Sequence, residues 1–235
     1  RLADLRDAIS LALPHELRTP LNGILAYGEI FKTDAAILKP AEIAEMGQVI
    51  CDSGRRLERL VENFLIYAQL ELLGSDSQRV ITLRSKQTLL PARLVETHAG
   101  KQAQQTNRTA DLEFNLTSMP VPMSEEYLGK VVDELTQNAF RFSSAGTKVR
   151  VSLEETDNAV VLTVADAGLG FSTEHITKVG AYMQFDRKLH EQQGLGLGLS
   201  IARQLTELHG GRLTIQSAKG AGTTVEVRLP KVTAH

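Results

Sequence analysis

Residues 11–22 read LALPHELRTPLN and lie inside a longer run, from residue 2 to about 32, whose apolar residues recur every three or four positions. That period is typical of an amphipathic helix. His15 lies two residues from both Leu13 and Leu17, so at about 100° per residue it is expected to face away from the buried stripe. The segment therefore predicts a helix that points an imidazole and the neighbouring carboxylate of Glu16 outward.

A second run with the same period extends from 41 to about 72, after a breaker region at residues 32–40. Pro40 fits the first turn of a helix, where its missing N–H is tolerated. Two long amphipathic helices joined by a short loop predict an antiparallel hairpin over residues 1–73. Because two helices alone bury too little apolar surface, we expect a homodimeric four-helix bundle; packing of the hairpin on the downstream domain is the alternative.

The composition excludes several classes of protein. With 26 basic and 28 acidic residues the net charge is −2, so no overall field favours nucleic acid. The single Cys51 excludes an internal disulfide framework and fits a reducing, cytoplasmic location. No apolar run is long enough to span a bilayer. The chain begins without Met on a charged helical pattern, so we expect a fragment, without a signal peptide, of a larger soluble or membrane-anchored protein.

Beyond a polar linker at residues 74–79 the sequence period changes repeatedly, which predicts a second domain over residues 80–235. The predicted elements are, in order, a strand at Val80–Arg84, a helix at Leu89–Thr106, a strand at Asp111–Leu116, a helix from the N-cap Ser124 to about Phe142, strands at Thr147–Leu153 and Ala159–Ala165, a helix at Leu197–Leu208, and strands at Leu213–Ser217 and Thr223–Leu229. Helices mixed with antiparallel hairpins predict an α+β sandwich with one sheet and helices on one face.

The helix that begins at Ser124 carries polar residues suited to a metal and phosphate site. Glu134, Asn138 and Arg141 follow at steps of four and three, so they share one face. Carboxylate and amide oxygens are ligands for magnesium, and a guanidinium fork suits phosphate oxygens. On its own the face has a simpler interpretation, because most such faces are only solvated. The buried stripe beside it is predicted to comprise Leu128, Val131, Leu135, Ala139 and Phe142.

Two glycine-rich segments indicate a nucleotide. Asp166-Ala-Gly-Leu-Gly170 follows an apolar strand, where a carboxylate can accept a hydrogen bond from an exocyclic amine such as adenine's, and glycines let the backbone approach a ring closely. Gly194-Leu-Gly-Leu-Gly198 opens a helix, and backbone N–H groups at a helix start bind phosphate. This run matches neither the P-loop nor the Rossmann fingerprint. Ordinary turns are the alternative for both segments.

The order and spacing of these segments resemble the ATP-binding domain of sensor histidine kinases, a fold shared with gyrase, MutL-type repair ATPases and a heat-shock chaperone. The resemblance implies that ATP and Mg²⁺ are bound. Asn138 would hold magnesium with Glu134 assisting, and Asp166 would read adenine. The matching segments are Glu134–Ser143 (the N box), Asp166–Gly170 (G1), Tyr182–Arg187 (F), Gly194–Gly198 (G2) and a final Gly220–Thr223 motif.

The resemblance also implies which other residues meet the nucleotide. Arg141 and Arg187 would contact the phosphates. Two positions depart from the family pattern: Ala167 replaces the usual Asn, and Leu195 replaces the usual Thr or Ser, which deletes a side-chain hydrogen bond near phosphate. The remaining residues assigned to the nucleotide site are Phe142, Gly168, Gly170, Gly194, Leu195, Gly196, Leu197, Gly198 and Thr223.

The segment His15-Glu-Leu-Arg-Thr-Pro-Leu21 is similar to the H box of the same family, with seven residues in order on the first helix of a hairpin. The resemblance implies that His15 is the phosphoacceptor and that Glu16 is its base. Arg18 and Thr19 belong to the same catalytic segment, where Thr19 would help a water attack the phosphoryl group of a partner regulator.

Two prolines bracket the histidine. Pro14 stands where the family usually has Ser, and Pro20 follows Thr19. Each removes a helical N–H and disturbs the hydrogen-bond ladder. We therefore expect the helix to bend here and to bring the imidazole toward a nucleotide.

Together these features predict an ATP-dependent histidine kinase core, which autophosphorylates on His15 and passes the phosphoryl group to an aspartate of a response-regulator receiver domain. Phosphatase activity toward that receiver is a further expectation. Two alternatives are another ATPase of the same fold and a degenerate, non-catalytic dimeric scaffold that binds nucleotide. The first leaves the His-Glu-Leu-Arg-Thr-Pro helix unexplained. Intact His15, Glu16, Asn138 and Asp166 argue against the second.

Overall fold

The computed structural model describes residues 13–74, 76–170 and 197–231, with the side chain of His15 outside that set. The chain divides into two compact units: the described residues up to Glu71, together with Leu197, belong to the first, and the other described residues belong to the second. None of the helices among these residues is both long and apolar enough to cross a bilayer.

The first unit is a pair of helices, α1 (Leu13–Asp34) and α2 (Pro40–Leu73). Pro40 is the first residue of α2, which confirms its predicted place in the first turn. The backbone N–H of Lys39 donates to Glu42 Oε2 at 2.8 Å, so a side chain satisfies one of the free donors at this helix start. The two predicted helices are confirmed over the described part of the chain.

The helix pair leaves much apolar surface open. Gly23 of α1 lies against Ser53 of α2, where an added Cβ would come within 3.0 Å of Ser53 Oγ. Leu60 and Leu70 of α2 are buried, but one hairpin has no third layer to cover its remaining apolar residues. Large apolar side chains that stay more than two-fifths exposed in this unit are Leu21, Leu25, Ile37, Ile43, Val61 and Leu65.

The second unit is an α+β fold, as predicted. Its elements are α3 (Ser77–Arg84), α4 (Pro91–Gln105), a 3₁₀ turn (Thr109–Asp111), β1 (Leu112–Leu116), α5 (Glu125–Phe142), β2 (Val149–Glu155), β3 (Ala159–Asp166), α6 (Leu197–Leu208), β4 (Arg212–Ala218) and β5 (Gly222–Pro230). The predicted helices α4, α5 and α6 and all five strands β1–β5 are confirmed, each within about two residues of its predicted ends, which is the usual uncertainty of such boundaries.

The strand predicted at Val80–Arg84 is wrong, because these residues lie in helix α3. Asp76 is the N-cap of this helix: its Oδ1 accepts from the N–H groups of Gln78 at 3.1 Å and Arg79 at 3.2 Å. A cap of this kind stabilises a helix start by about 1 kcal/mol, enough to outweigh the β preference of a short Val-Ile-Thr run. Ser77, Gln78 and Arg79, which belong to the predicted linker at residues 74–79, are the first residues of α3.

The sheet has the strand order β1-β2-β3-β5-β4, with β1 parallel to β2 and the other pairs antiparallel. Val149, Val151 and Leu153 are buried on β2 and alternate with more exposed residues, so one face of the sheet packs on the core. Helix α5 contacts β2 and β3, and α4 contacts β1, on this buried side. In register, the end of β3 lies beside the start of β5, which sets Asp166 opposite Thr223.

Candidate functional site

Helix α5 supplies one wall of the candidate site. Ser124 caps it as predicted, accepting from the N–H of Tyr127 at 3.4 Å. Leu128, Val131, Leu135 and Ala139 are buried along one side, which confirms most of the predicted stripe. The last member is different: Phe142 is only half-buried, whereas Phe140 is buried, with the guanidinium of Arg108 5.1 Å from its ring centroid.

Solvent exposure increases along the polar face of α5 toward its C-terminal end. Glu134 is 5% exposed, Asn138 is half-buried, and Arg141 is exposed with its guanidinium 5.2 Å from the ring centroid of Phe142. Carboxylate and amide oxygens one turn apart are hard donors of the kind magnesium takes. Within the described residues no group of three His, Cys, Asp or Glu side chains could hold a metal. The donor set therefore fits an ion that shares its ligands with phosphate oxygens rather than one caged by protein.

The start of α6 meets this face. Gly198 lies so close to the carboxylate of Glu134 that any Cβ at this position would overlap Oε2. Leu197, the first residue of α6, is 5% exposed. The end of the second glycine-rich segment, at the start of α6 where N–H groups can bind phosphate, is thus brought to the acid of α5. Arg187, Gly194, Leu195 and Gly196 lie outside the described residues.

The first glycine-rich segment passes between α5 and the β4–β5 hairpin. The N–H of Leu169 donates to the carbonyl of Phe142 at 3.1 Å, and Gly168 lies against that same carbonyl, leaving no room for a Cβ. Gly170 adopts φ 64° against the carbonyl of Ala218, a conformation and a clearance that only glycine tolerates. Both glycines are therefore needed for this segment to lie where it does.

Asp166 is the last residue of β3 and is half-buried. Burial raises the pKa of its carboxyl, while hydrogen bonds from the backbone of Gly168 and Thr223 and the nearby charge of Arg108 lower that pKa in part. The N–H of Gly168 lies 2.8 Å from Asp166 Oδ1. Thr223 is 7% exposed, and its hydroxyl is 2.9 Å from the Ser217 hydroxyl, so Thr223 reaches this carboxylate through its backbone.

Arg108 has a structural role that no sequence pattern indicates. It is 7% exposed, and its Nε donates to Asp111 Oδ2 at 2.7 Å. This arginine fixes the carbonyl-rich end of α5 and the loop that leads to β2, next to the carbonyl that orders the Asp166 segment. A single arginine between two elements carries no periodic signal. Its two Nη atoms donate to the backbone carbonyls of Phe140, Ser143, Ser144 and Thr147 at 2.7–3.0 Å.

Helix α1 carries the predicted phosphoacceptor segment. Arg18 and Thr19 are exposed, as a catalytic surface requires. Glu16 differs from the expectation that it points outward: it is 9% exposed, and its Oε2 lies 3.5 Å from Nη2 of Arg56 on α2. The opposite charge across the hairpin accounts for this orientation. The predicted direction of the His15 side chain lies outside the described residues.

Pro20 lies within α1 and is buried. The bend expected at Pro14 and Pro20 remains a prediction, since it concerns movement between two states of the helix.

Comparison with known protein families finds a match for each of the two parts of the chain. The "His Kinase A (phospho-acceptor) domain" family matches residues 8–73, and the "Histidine kinase-, DNA gyrase B-, and HSP90-like ATPase" family matches residues 123–233. Histidine protein kinase DivJ of Caulobacter vibrioides is 32% identical over 226 residues, which cover 94% of this chain and 37% of that protein. Sensor protein SrrB of Staphylococcus aureus is 30% identical over 226 residues, covering 92% of this chain and 36% of that protein.

Solved structures share the fold. The histidine kinase AdeS of Acinetobacter baumannii superposes with a TM-score of 0.67 at 23% identity, covering 93% of this chain and 98% of that one. The chain spans little more than a third of the length of the curated relatives named above. With a phosphoacceptor family and an ATPase family matched in this order, the chain belongs to the sensor histidine kinases and contains the residues of their catalytic core.

Proposed function

We propose that this chain uses ATP to phosphorylate itself on His15 and then passes the phosphoryl group to an aspartate of a response-regulator receiver domain. The observation that carries this proposal is the contact between Gly198 and the carboxylate of Glu134. It joins the glycine-rich start of α6 to the acid and amide face of α5. That pairing supplies N–H donors for phosphate and oxygen donors for a metal in one place.

Nucleotide binding divides among the three motifs. Asp166, half-buried with a raised pKa at the end of β3, accepts a hydrogen bond from the adenine amine. The glycines at 168 and 170 keep side chains out of the space beside it. Asn138 would hold magnesium with Glu134 assisting, and magnesium, when bound, supplies positive charge to the phosphates. The proposed phosphate contacts are Arg141, Arg187 and the segment Gly194–Gly198, with Phe142 and Thr223 completing the site.

The transfer itself needs a neutral imidazole. A ring nitrogen of His15 forms a bond to the γ-phosphorus, the bond between that phosphorus and the bridging oxygen of ADP breaks, and the imidazole proton passes to Glu16. Glu16 is buried against α2 and paired with Arg56. A carboxylate held in one orientation accepts a proton more efficiently than a mobile one. Arg18 and Thr19 lie exposed on the same helix.

Thr19 supports a second reaction. It follows His15 by four residues, so it lies one helical turn away on the same side of α1, and it is exposed. A hydroxyl there can orient a water toward the phosphoryl group on a bound receiver, which would give the protein phosphatase activity. A Thr19→Ala variant should then keep autophosphorylation and lose most of its dephosphorylation of a phosphorylated receiver. Equal dephosphorylation by both proteins would exclude this role.

We further propose a homodimer through the hairpin and a cytoplasmic location for this part of the protein. Dimerisation is typical of kinases with this phosphoacceptor domain. The apolar residues that one hairpin leaves exposed, among them Leu25 and Leu65, are the surface a second hairpin would cover.

Incubation with γ-labelled ATP and magnesium tests the proposal. The wild-type chain should acquire label that is lost in acid and stable in base, as expected for phosphohistidine, and the His15→Gln and Asn138→Ala variants should acquire none. Steady ATP hydrolysis without labelled protein would instead favour another ATPase of this fold. Nucleotide binding with neither label nor hydrolysis would favour the non-catalytic scaffold.

A further inference from the structure

The carboxylate of Glu134 already has a cation beside it. Nζ of Lys130, one turn earlier on α5, lies 2.6 Å from Glu134 Oε1. Both side chains are largely removed from solvent, with the lysine 17% and the glutamate 6% exposed. An ion pair screened from water in this way is stronger than a surface pair between residues four apart on a helix.

The other oxygen of this carboxylate is enclosed too. Gly198 at the start of α6 packs against Oε2 so closely that no side chain could be added there. Glu134 is therefore held between an ammonium on one side and a backbone on the other. A buried carboxylate needs a positive partner, because an unpaired charge in this environment costs several kcal/mol. In the described part of the chain, Lys130 is the partner that Glu134 shows for that role.

We propose that the Lys130 ammonium is the resident counter-ion of Glu134 and competes with magnesium for this carboxylate, so that Lys130 sets the magnesium concentration at which the nucleotide site fills. This inference rests on the proposed nucleotide site and deepens it. A metal ion that takes Oε1 of Glu134 as a direct ligand must displace the ammonium from that oxygen. The work of separating that ion pair is then subtracted from the free energy of metal binding.

A purely structural ion pair gives a different expectation. If Lys130 only fastens one turn of α5, its removal lowers stability and leaves the magnesium requirement unchanged. If it competes with the ion, its removal leaves Glu134 without a counter-ion and strengthens metal binding. The two effects are separated by measuring magnesium dependence at equilibrium, independently of any phosphoryl transfer.

The experiment titrates magnesium against the full chain and a fluorescent ATP analogue, with bound analogue as the readout. Lys130→Gln should lower the half-saturating magnesium concentration about three- to tenfold, as expected for loss of a partly buried ion pair worth roughly 0.7–1.4 kcal/mol. Lys130→Arg keeps the charge and should stay within about twofold of wild type. Lys101→Gln, an exposed lysine on α4, is the matched control and should change nothing.

A double-mutant cycle decides whether Glu134 mediates the effect. In a Glu134→Gln background the ammonium has no carboxylate to occupy, so Lys130→Gln should no longer lower the magnesium requirement. An unchanged or higher requirement in Lys130→Gln, or an equal decrease in both backgrounds, would overturn the inference. Lys130→Met, which keeps the aliphatic volume, provides the same comparison should the glutamine variant not fold. Absence of analogue binding by wild type at every magnesium concentration would refute the proposed function instead.

Discussion

Burial of the Asp166 carboxyl affects its pKa and, through that pKa, the proposed recognition of adenine. Because burial raises its pKa above the ordinary value of 3.8, it takes up a proton at a higher pH than a solvated aspartate does. Only the ionised form accepts the hydrogen bond of the adenine amine without competing as a donor. Protonation should therefore weaken nucleotide binding before the fold itself is lost to acid.

Acidification tests this property of Asp166. As pH falls from neutral into the acid range in which carboxyl groups titrate, wild type should lose affinity for an ATP analogue more steeply than Asp166→Asn, whose amide does not titrate there. At neutral pH the Asn variant should bind more weakly, by about tenfold or more, because one acceptor is replaced by a group that also donates. Parallel pH profiles for the two proteins, measured by equilibrium fluorescence, would contradict the assignment of Asp166 to adenine.

Substitution of Gly198 provides a second test at the level of single residues. In Gly198→Ala the new methyl group overlaps the carboxylate of Glu134, so α6 or the glutamate must move. We expect nucleotide affinity to fall at least about tenfold, corresponding to roughly 1.4 kcal/mol. Gly100→Ala in α4 meets nothing within 4 Å and should leave binding unchanged while stabilising its helix by about 0.5–1 kcal/mol. Equal binding by the two variants, measured by calorimetric titration, would show that the contact is unimportant.

Single-residue roles were only partly accessible from the sequence. The spacing of Glu134, Asn138 and Arg141 predicts that they share one face. They do so in α5, because the helical period alone determines which residues lie on the same face. The burial of Glu16 was missed, since the period of α1 could not show that Arg56 would lie across the hairpin. The role of Lys130 also depends on tertiary structure. The sequence shows that Lys130 and Glu134 are four residues apart on one helix, but the burial that strengthens their ion pair comes from Gly198 of α6.

Among the secondary-structure elements, the stability of α5 depends on which groups hydrogen-bond to the backbone carbonyls at its C-terminal end. Helix ends leave carbonyls without helical partners, and Arg108 takes four carbonyls from this end and the following loop. The segment that carries Asp166 hydrogen-bonds to Phe142 in the same region. The position of the Asp166 carboxylate, which we propose to bind adenine, therefore depends on a buried arginine to which we assign no nucleotide contact.

Arg108→Lys measures this dependence. A lysine has three donors in place of five and cannot span the same carbonyls, so the free energy of unfolding of the second unit should fall by about 2–4 kcal/mol. Arg150→Lys on the open face of the sheet, where the guanidinium is 71% exposed, should change it by less than about 0.5 kcal/mol. Urea unfolding monitored by circular dichroism compares the two, and losses of similar size would contradict the assigned role.

Element prediction succeeded where the apolar period was long. Helices α4, α5 and α6 each present a repeating buried side, and the strands alternate or are flanked by glycine turns. The error at α3 has a local cause. Five residues with three β-branched members show no reliable period, whereas the decisive signal, the N-cap Asp76, lies outside the predicted strand.

At the scale of the whole molecule, the two units divide the proposed chemistry, with the phosphoacceptor in the hairpin and the nucleotide in the α+β unit. The hairpin cannot bury its own apolar face, which is a physical reason for it to associate with a second copy of itself. The width of the apolar stripes in the sequence predicts this association, since the amount of apolar surface that two helices can cover is limited.

Leu25→Glu tests the dimer. Leu25 is 56% exposed on α1, and a carboxylate in a helix–helix interface would be buried in both copies. We expect wild type to be a dimer by light scattering and the variant to dissociate at least about a hundredfold more readily. Ile81→Glu on α3, which replaces a side chain 61% exposed in the other unit, should remain dimeric. A monomeric wild type, or an unaffected Leu25→Glu, would exclude this face as the interface.

The central claim is that His15, and no other histidine among the six in the chain, accepts phosphate from ATP. Tandem mass spectrometry of peptides prepared at neutral to mildly basic pH, after incubation of the full chain with ATP and magnesium, measures this directly. We expect a phosphoryl group on the peptide that contains His15, and its absence when Asp166→Asn and Asn138→Ala are combined to remove nucleotide binding. Phosphorylation confined to a different histidine, or an unmodified His15 in protein shown to bind ATP, would contradict the central claim.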